Sequence, residues 1–289
     1  MIASARRSFA IAGATFTELA RLRVFYVLIL FALVLIFSAT FLARISFQQE
    51  LQVTRDIALG AIDFFLSLLA IVATAQLLPR DLEDRVVYSI LAKPVRRFEY
   101  LLGKFFGALA LLAASLVVMS ILCLIVLHFR EAAALRSAQQ QLAPLGAEQV
   151  AVATRAIHIA GVNPVFFSAL AFTLLKTAVL VAITLAVSSF ATSSIFTISA
   201  LAMVFLIGHL EGIARDYWLS EHAVGWVTRA FLAVIVFVFP DFEAFNLSDQ
   251  LAGSALLAAP LLLKTGLLAL FYIVSYLIVA VAIFSQREL

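Results

Sequence analysis

The chain has 289 residues, of which 64% are hydrophobic and only 13% charged, and its mean hydropathy is +1.11. Soluble domains carry about a quarter of their residues as charge, so this composition excludes an ordinary globular protein and defines an all-α, polytopic membrane chain built as a single membrane domain, 1–289. A net charge of +3 with a pI near 9.2 fits basic loops facing anionic lipid rather than nucleic acid, and the single cysteine, Cys123, excludes an intrachain disulfide.

The first element expected is an amphipathic helix over residues 5–23. SARRSF at 4–9 has the two arginines of an export signal, but Thr15, Thr17 and Glu18 interrupt the apolar stretch, and no small-residue cleavage site follows. Phe9, Phe16 and Leu19 fall on or near one face, with Arg6, Glu18 and Arg21 elsewhere. Such a helix rests in the headgroup plane before the chain turns into the bilayer.

Six membrane helices follow, at 24–43, 57–78, 105–127, 164–187, 195–210 and 261–284. The runs are continuous, whereas barrel strands alternate over about ten residues. Arg6, Arg7, Arg21 and Arg23 precede the first span, and Arg80, Arg85, Lys93, Arg96, Arg97 and Lys104 lie between the second and third. The loop before span two offers only Arg44 and Arg55. The excess of basic residues places the N-terminus and residues 79–104 in the cytoplasm, and six spans return the C-terminus there. Residues 129–161 form an external helical excursion, with Leu135, Ala138, Leu142 and Leu145 at helical steps and Pro144 interrupting. The outer region 212–258 contains a fourteen-residue apolar run at 226–239 that ends before Pro240. At that length it is expected to be re-entrant rather than spanning.

Little in the chain suggests catalysis. Gly103-Lys104 is followed by Phe105 rather than Ser or Thr and lacks the earlier glycine of a phosphate-binding loop, so no ATPase activity is expected on this chain. His209, Glu211, Asp216, Glu221 and His222 crowd into GHLEGIARDYWLSEH, but their spacing matches no zinc motif. A polar interfacial helix anchored by Tyr217 and Trp218 explains them, so no metal site is assigned. Lys176 falls in the middle of the fourth span, where an ammonium costs roughly 2.5–3.5 kcal/mol. It either lines a translocation path or pairs to fix packing, and Asp63 in span two is the acid comparably placed.

The densest charge lies at 79–104. RDLEDRVVYSILA begins as a charged helix with an apolar patch at Val86, Val87, Ile90 and Leu91. Lys93-Pro94 breaks it, because the residue before proline is driven out of the helical region, and VRRFEYLLGK restarts a helix into span three. Apolar side chains within a charged rim suit a docking surface for a soluble partner.

The run LAKPVRRFEYLLGKFFGAL at 91–109 resembles the first cytoplasmic loop of ABC-2 type transporter permeases, where a K-P turn, an arginine, an aromatic with Glu and then L-G-K follow an acidic and basic stretch. TFTELARLR at 15–23, VSSFATSSIF at 187–196 and PDFEAFNLSD at 240–249 are similar to that family in the same order. The resemblance implies a six-helix permease subunit in a cell membrane, by analogy the bacterial inner membrane. It would pair with a second permease copy and two separate ATP-binding subunits that carry the ATP and Mg. Residues 81–92 would be the coupling helix, with Asp81, Glu83, Asp84, Arg85, Val87 and Tyr88 docking on the ATPase. Lys93, Pro94, Arg96, Arg97, Glu99, Gly103 and Lys104 would form the elbow. An ABC-type membrane anchor for assembly or signalling, without transport, is the alternative; an intramembrane metal enzyme is a third and weaker reading.

Overall fold

The computed structural model describes residues 2–42, 50–83, 95–142, 147–162, 164–220, 239–246 and 259–286. Among them the chain is all-helical: α1 Ile2–Ala20, α2 Arg23–Leu42, α3 Glu50–Ala75, α4 Leu77–Glu83, α5 Arg97–Leu142, α6 Ala147–Ala160, α7 Pro164–Phe190, α8 Ser194–Ser220, a 3-10 turn Glu243–Phe245, and α9 Ala259–Gln286. Five stretches are long and apolar enough to cross a membrane: Arg23–Phe41, Leu51–Glu83, Arg97–Gln140, Val165–Phe190 and Leu262–Gln286. Ser194–Leu210 is apolar but shorter.

Local chemistry sets where these helices begin. Pro164 opens α7, the position where its missing N–H costs nothing. α5 starts at Arg97, three residues past Pro94 in the sequence, and the Glu99 carboxylate accepts the Arg96 backbone N–H at 3.2 Å, one half of a capping box. Hydroxyls inside the apolar helices bond back to their own helix, as Ser115 does to the Leu111 carbonyl (2.8 Å), Ser120 to Leu116 (2.6 Å) and Thr184 to Leu180 (2.7 Å). That satisfies polar groups that hydrocarbon cannot.

Packing places α3 and α7 at the centre. In their most apolar windows 67% and 72% of residues are buried, against 17% for α2 and 22% for the window in α9, so the latter two present their side chains outward, as lipid-facing helices do. α7 packs on α9, α3, α5 and α8, and α3 on α2, α5 and α7. The core between them is aliphatic and aromatic, with Leu66, Leu69, Ile62, Phe166, Val179 and Leu185 buried.

Three expectations change. α1 packs along α5, burying Ala12, Thr15 and Leu19. Phe9 is 76% exposed and lies on the flank of the seam, which runs through Ile11, Ala12, Thr15 and Leu19. A Cβ on Gly103 would lie 2.6 Å from Ile11 Cβ, and one on Gly107 would lie 2.6 Å from the Ala12 carbonyl oxygen. Two glycines four apart thus let α1 approach α5 backbone to backbone, both chains running in the same direction. Second, α5 contains 46 residues, about 69 Å of helix, more than twice the thickness of a hydrocarbon core. The excursion therefore begins as an unbroken continuation of α5, and only α6 folds back on it. Third, the polar segment after the fifth apolar run is no separate helix but the end of α8. Residues 226–238 lie outside the described residues.

Candidate functional site

Two charged networks stand out along the α3–α4 segment, one on Asp81 near its end and one on Asp63 within α3. The first joins helices on either side of the 84–94 segment. The Lys104 ammonium lies 2.7 Å from Asp81 Oδ2 and 3.2 Å from Glu18 Oε2. The Tyr100 hydroxyl also donates to Asp81 Oδ2. Tyr100 and Lys104 are one helical turn apart on α5, which brings both to the same carboxylate. The pair is enclosed, with side-chain exposure of 5% for Lys104 and 6% for Asp81. Next to it, Arg7 Nη1 lies 3.7 Å from Glu99 Oε2, and the Ser8 hydroxyl donates to the Glu99 carbonyl at 3.2 Å. Arg97 reaches across to α9, donating to the carbonyls of Phe284 (3.0 Å) and Ser285. A cation at the last carbonyls of a helix also meets the negative end of its dipole. The Tyr100 ring stacks on Phe284, with centroids 5.7 Å apart.

This network revises the expected docking rim. Asp81 is not on an exposed rim: it is buried and neutralised by Lys104, because α4 turns it inward toward α5. Glu83 is exposed. Asp84, Arg85, Val87, Tyr88, Lys93 and Pro94 lie outside the described residues. Of the elbow set, Arg97, Glu99, Gly103 and Lys104 all contact another helix, while the Arg96 side chain is exposed. Sequence reasoning missed Tyr100 and Glu18 as partners. The Tyr100–Lys104 spacing carried a signal; Glu18 carried none, since its partner lies 86 residues away.

The second network lies midway along α7. Lys176 Nζ is 2.7 Å from Asp63 Oδ2 of α3 and 3.1 Å from His209 Nε2 of α8. His209 Nδ1 is 2.8 Å from the Phe205 carbonyl. A carbonyl only accepts, so Nδ1 carries the proton and Nε2 presents its lone pair to the ammonium. The ammonium also sits over the rings of Phe205 (5.4 Å) and Phe242 (5.8 Å). Phe242 is held there by its backbone N–H, which donates to the Gly208 carbonyl at 2.9 Å. Gly208 admits no larger residue, since a Cβ would lie 2.3 Å from the Phe242 ring. Lys176 is therefore boxed by one carboxylate, one imidazole and two aromatic faces.

The Asp63 side chain keeps 30% of its surface, because it forms the floor of a cleft of about 210 Å³ between α3 and α7. Asp56, Leu59 and Gly60 line it from α3, Ala169 and Thr173 from α7, and Phe245 of the 3-10 turn with Asn246 after it. At the far end of α3, buried Arg55 donates to the Ala160 carbonyl at 3.1 Å, tying the last turn of α6 to α3, while its Nε reaches Asp56 at 3.2 Å. The α5–α6 hairpin is closed by His158 Nδ1, 2.8 Å from Glu131 Oε1.

The structure thus brings Asp63 and Lys176 together and adds His209, which sequence reasoning had assigned to the polar cluster at 209–222. In that cluster Glu211 and Asp216 belong to the backbone of α8, and Glu221 and His222 lie outside the described residues. No three His, Cys, Asp or Glu residues gather into a metal-holding group among the described residues.

Among the described residues, fold and site together define an all-helical protein with five helices long and apolar enough to cross a membrane and two internal charge networks. No protein-family model and no curated protein matches its sequence.

Proposed function

We propose that this chain is the membrane subunit of an ATP-driven exporter of the ABC-2 type, which couples ATP hydrolysis on a separate soluble subunit to movement of substrate across the bilayer. In this reading Ser194–Leu210 is a sixth span, the termini are cytoplasmic, the outer segment at 226–239 is re-entrant, and a second permease copy completes the pore. α1 serves as the elbow and residues 81–92 as the coupling helix.

One observation carries the proposal: both flanks of the 84–94 segment are fixed to the membrane helices. On one flank Asp81 is bound to Lys104 and Tyr100 of α5; on the other Arg97 is bound to α9, and Glu99 and Gly103 to α1. A partner that pushes on this segment acts on α1, α4, α5 and α9 at once. A loop that merely marked topology would need no such ties. Glu83, exposed at the end of α4, is the described acid available for docking, with Asp84 and Arg85 beyond it in sequence.

The test is co-reconstitution of the chain with its ATP-binding partner in proteoliposomes. Glu83→Arg combined with Asp84→Arg is expected to leave insertion and folding intact while removing stimulation of the partner's ATPase. Undiminished stimulation in that variant rejects this docking surface, and failure of the two proteins to associate at all rejects the class.

A further inference from the structure

The cleft between α3 and α7 offers hydrogen bonds but no uncompensated charge. Asp56 and Asp63 reach it from α3 and keep 34% and 30% of their side-chain surfaces. Each already has its cation: Arg55 Nε is 3.2 Å from Asp56 Oδ1, and Lys176 Nζ is 2.7 Å from Asp63 Oδ2. A further ion would enter without a counter-charge, where that is costly. A neutral donor meets no such penalty. A carboxylate has about four lone-pair sites, so a cation on one oxygen leaves room for O–H donors, whose bonds to a carboxylate are of the strong class. Thr173 faces the same cleft from α7 and is 8% exposed. Elsewhere on α7 the hydroxyls of Thr177 and Thr184 donate to the carbonyls of Leu174 (2.9 Å) and Leu180 (2.7 Å). The Thr173 hydroxyl has no partner among the described residues, although a hydroxyl buried to that degree is normally paired.

We propose that this cleft binds a small neutral polyol, of the size of one sugar ring. Its hydroxyls donate to Asp56 and Asp63, and one of them exchanges hydrogen bonds with Thr173, which can both donate and accept. The C–H faces of the ring lie against Leu59, Ala169 and Phe245. The two acids are seven residues apart on α3, two helical turns and about 10.5 Å of rise, so a ring seated between them reaches both. Gly60 leaves that place open, since a Cβ there would meet nothing within 4 Å. The volume of about 210 Å³ sets the size, because sites for drug-sized molecules take roughly 300–1,000 Å³. Several hydroxyls are needed: a ring with only one fills the same space but serves one acid and leaves Thr173 unpaired. Both ion pairs stay as they are, and no proton moves. The site makes no use of an ATPase partner, so it stands or falls separately from the proposal above.

The experiment uses the full chain in lipid nanodiscs, titrated with myo-inositol and with D-glucose, and reads binding by saturation-transfer NMR against empty discs. Saturable transfer to at least one of the two polyols is expected, with none to cyclohexanol at the same concentration. Gly60→Leu fills the open place in the cleft and should abolish binding while helical circular dichroism shows the fold intact. Thr173→Val keeps the shape and removes the hydroxyl, and should weaken binding about fivefold, the scale of one hydrogen bond. Discs made with monoglucosyl diacylglycerol separate the two sources of this chemistry: loss of the myo-inositol signal in those discs would name a lipid headgroup, and an unchanged signal a free polyol. No saturable transfer to either polyol, equal transfer to cyclohexanol, or undiminished binding by folded Gly60→Leu or Thr173→Val each overturns the proposal.

Discussion

The Asp63–Lys176 pair should break asymmetrically, and its geometry says by how much. Lys176 keeps 2% of its side-chain surface and Asp63 keeps 30%. Asp63→Asn strands the enclosed ammonium with only an imidazole lone pair and two ring faces, and breaking a buried pair in this way costs about 3–5 kcal/mol. Lys176→Met strands the carboxylate instead, but that carboxylate opens on the cleft and can be hydrated, so the expected loss is about 1 kcal/mol, the scale of an exposed pair. The double variant, with neither charge, should be about 2 kcal/mol more stable than Asp63→Asn alone. The assay is unfolding of the purified chain in nanodiscs, followed by helical circular dichroism between pH 6.5 and 9. If Lys176→Met proves as destabilising as Asp63→Asn, or if the double variant is the worst of the three, the reasoning from burial fails.

The other predictions concern tight contacts and the inner network. Gly103→Leu would drive a side chain into Ile11 Cβ, 2.6 Å from where its own Cβ would sit; it should detach α1, read as loss of crosslinking between cysteines placed at positions 8 and 99 in a Cys123→Ser background. Gly208→Val should cost about 1–3 kcal/mol through overpacking against the Phe242 ring and expose residue 241, converted to cysteine, to maleimide labelling. For the inner pair, a double-mutant cycle of Asp81→Asn with Lys104→Met should return a coupling energy of about 2 kcal/mol, reduced from the full buried value because Glu18 remains 3.2 Å from Lys104. A coupling energy near zero removes the pair from the transmission argument.

Much of the fold was legible because one physical rule dominates it. Where hydrocarbon replaces water, long apolar runs must become helices, and the spans read at 57–78, 105–127 and 164–187 fall inside α3–α4, α5 and α7. What periodicity could not show was which face of a helix meets another helix rather than lipid, since both faces are apolar. Phe9 illustrates this: its spacing groups it with Phe16 and Leu19 on or near one face, yet Phe9 is exposed while Leu19 is buried, and the contact at the glycine pair is made by small side chains such as Ala12. Asp81 illustrates the converse. A charge in a loop reads as solvated, and only the neighbouring helix, with Tyr100 and Lys104 one turn apart, shows it to be buried. The Lys176–Asp63 pairing was foreseeable because each charge at that depth needs a partner, whereas His209 sat in a polar cluster that drew attention to the wrong neighbours.

The two networks have a mechanical relation that neither shows alone. Asp63 and Asp81 lie eighteen residues apart along α3 and α4, about 27 Å if the axis were straight. Eighteen residues are five full turns, so an unbroken helix would put both acids on the same side. Each is held by a lysine from a different neighbour, Lys176 of α7 and Lys104 of α5. Between them the helix is interrupted at Gln76, where α3 ends and α4 begins, while the Arg80 N–H still reaches the Gln76 carbonyl at 3.1 Å. An interruption at that point is where α4 would pivot against α3 while the α3–α7 pair stayed intact. Hence a force applied near Glu83 would first load the Asp81–Lys104 contact, and Asp63 would respond only after α4 had reached the limit of its pivot. If the proposed coupling holds, that order places the Asp81 network upstream of the Asp63 network and makes Asp81 a link between helices rather than a docking charge.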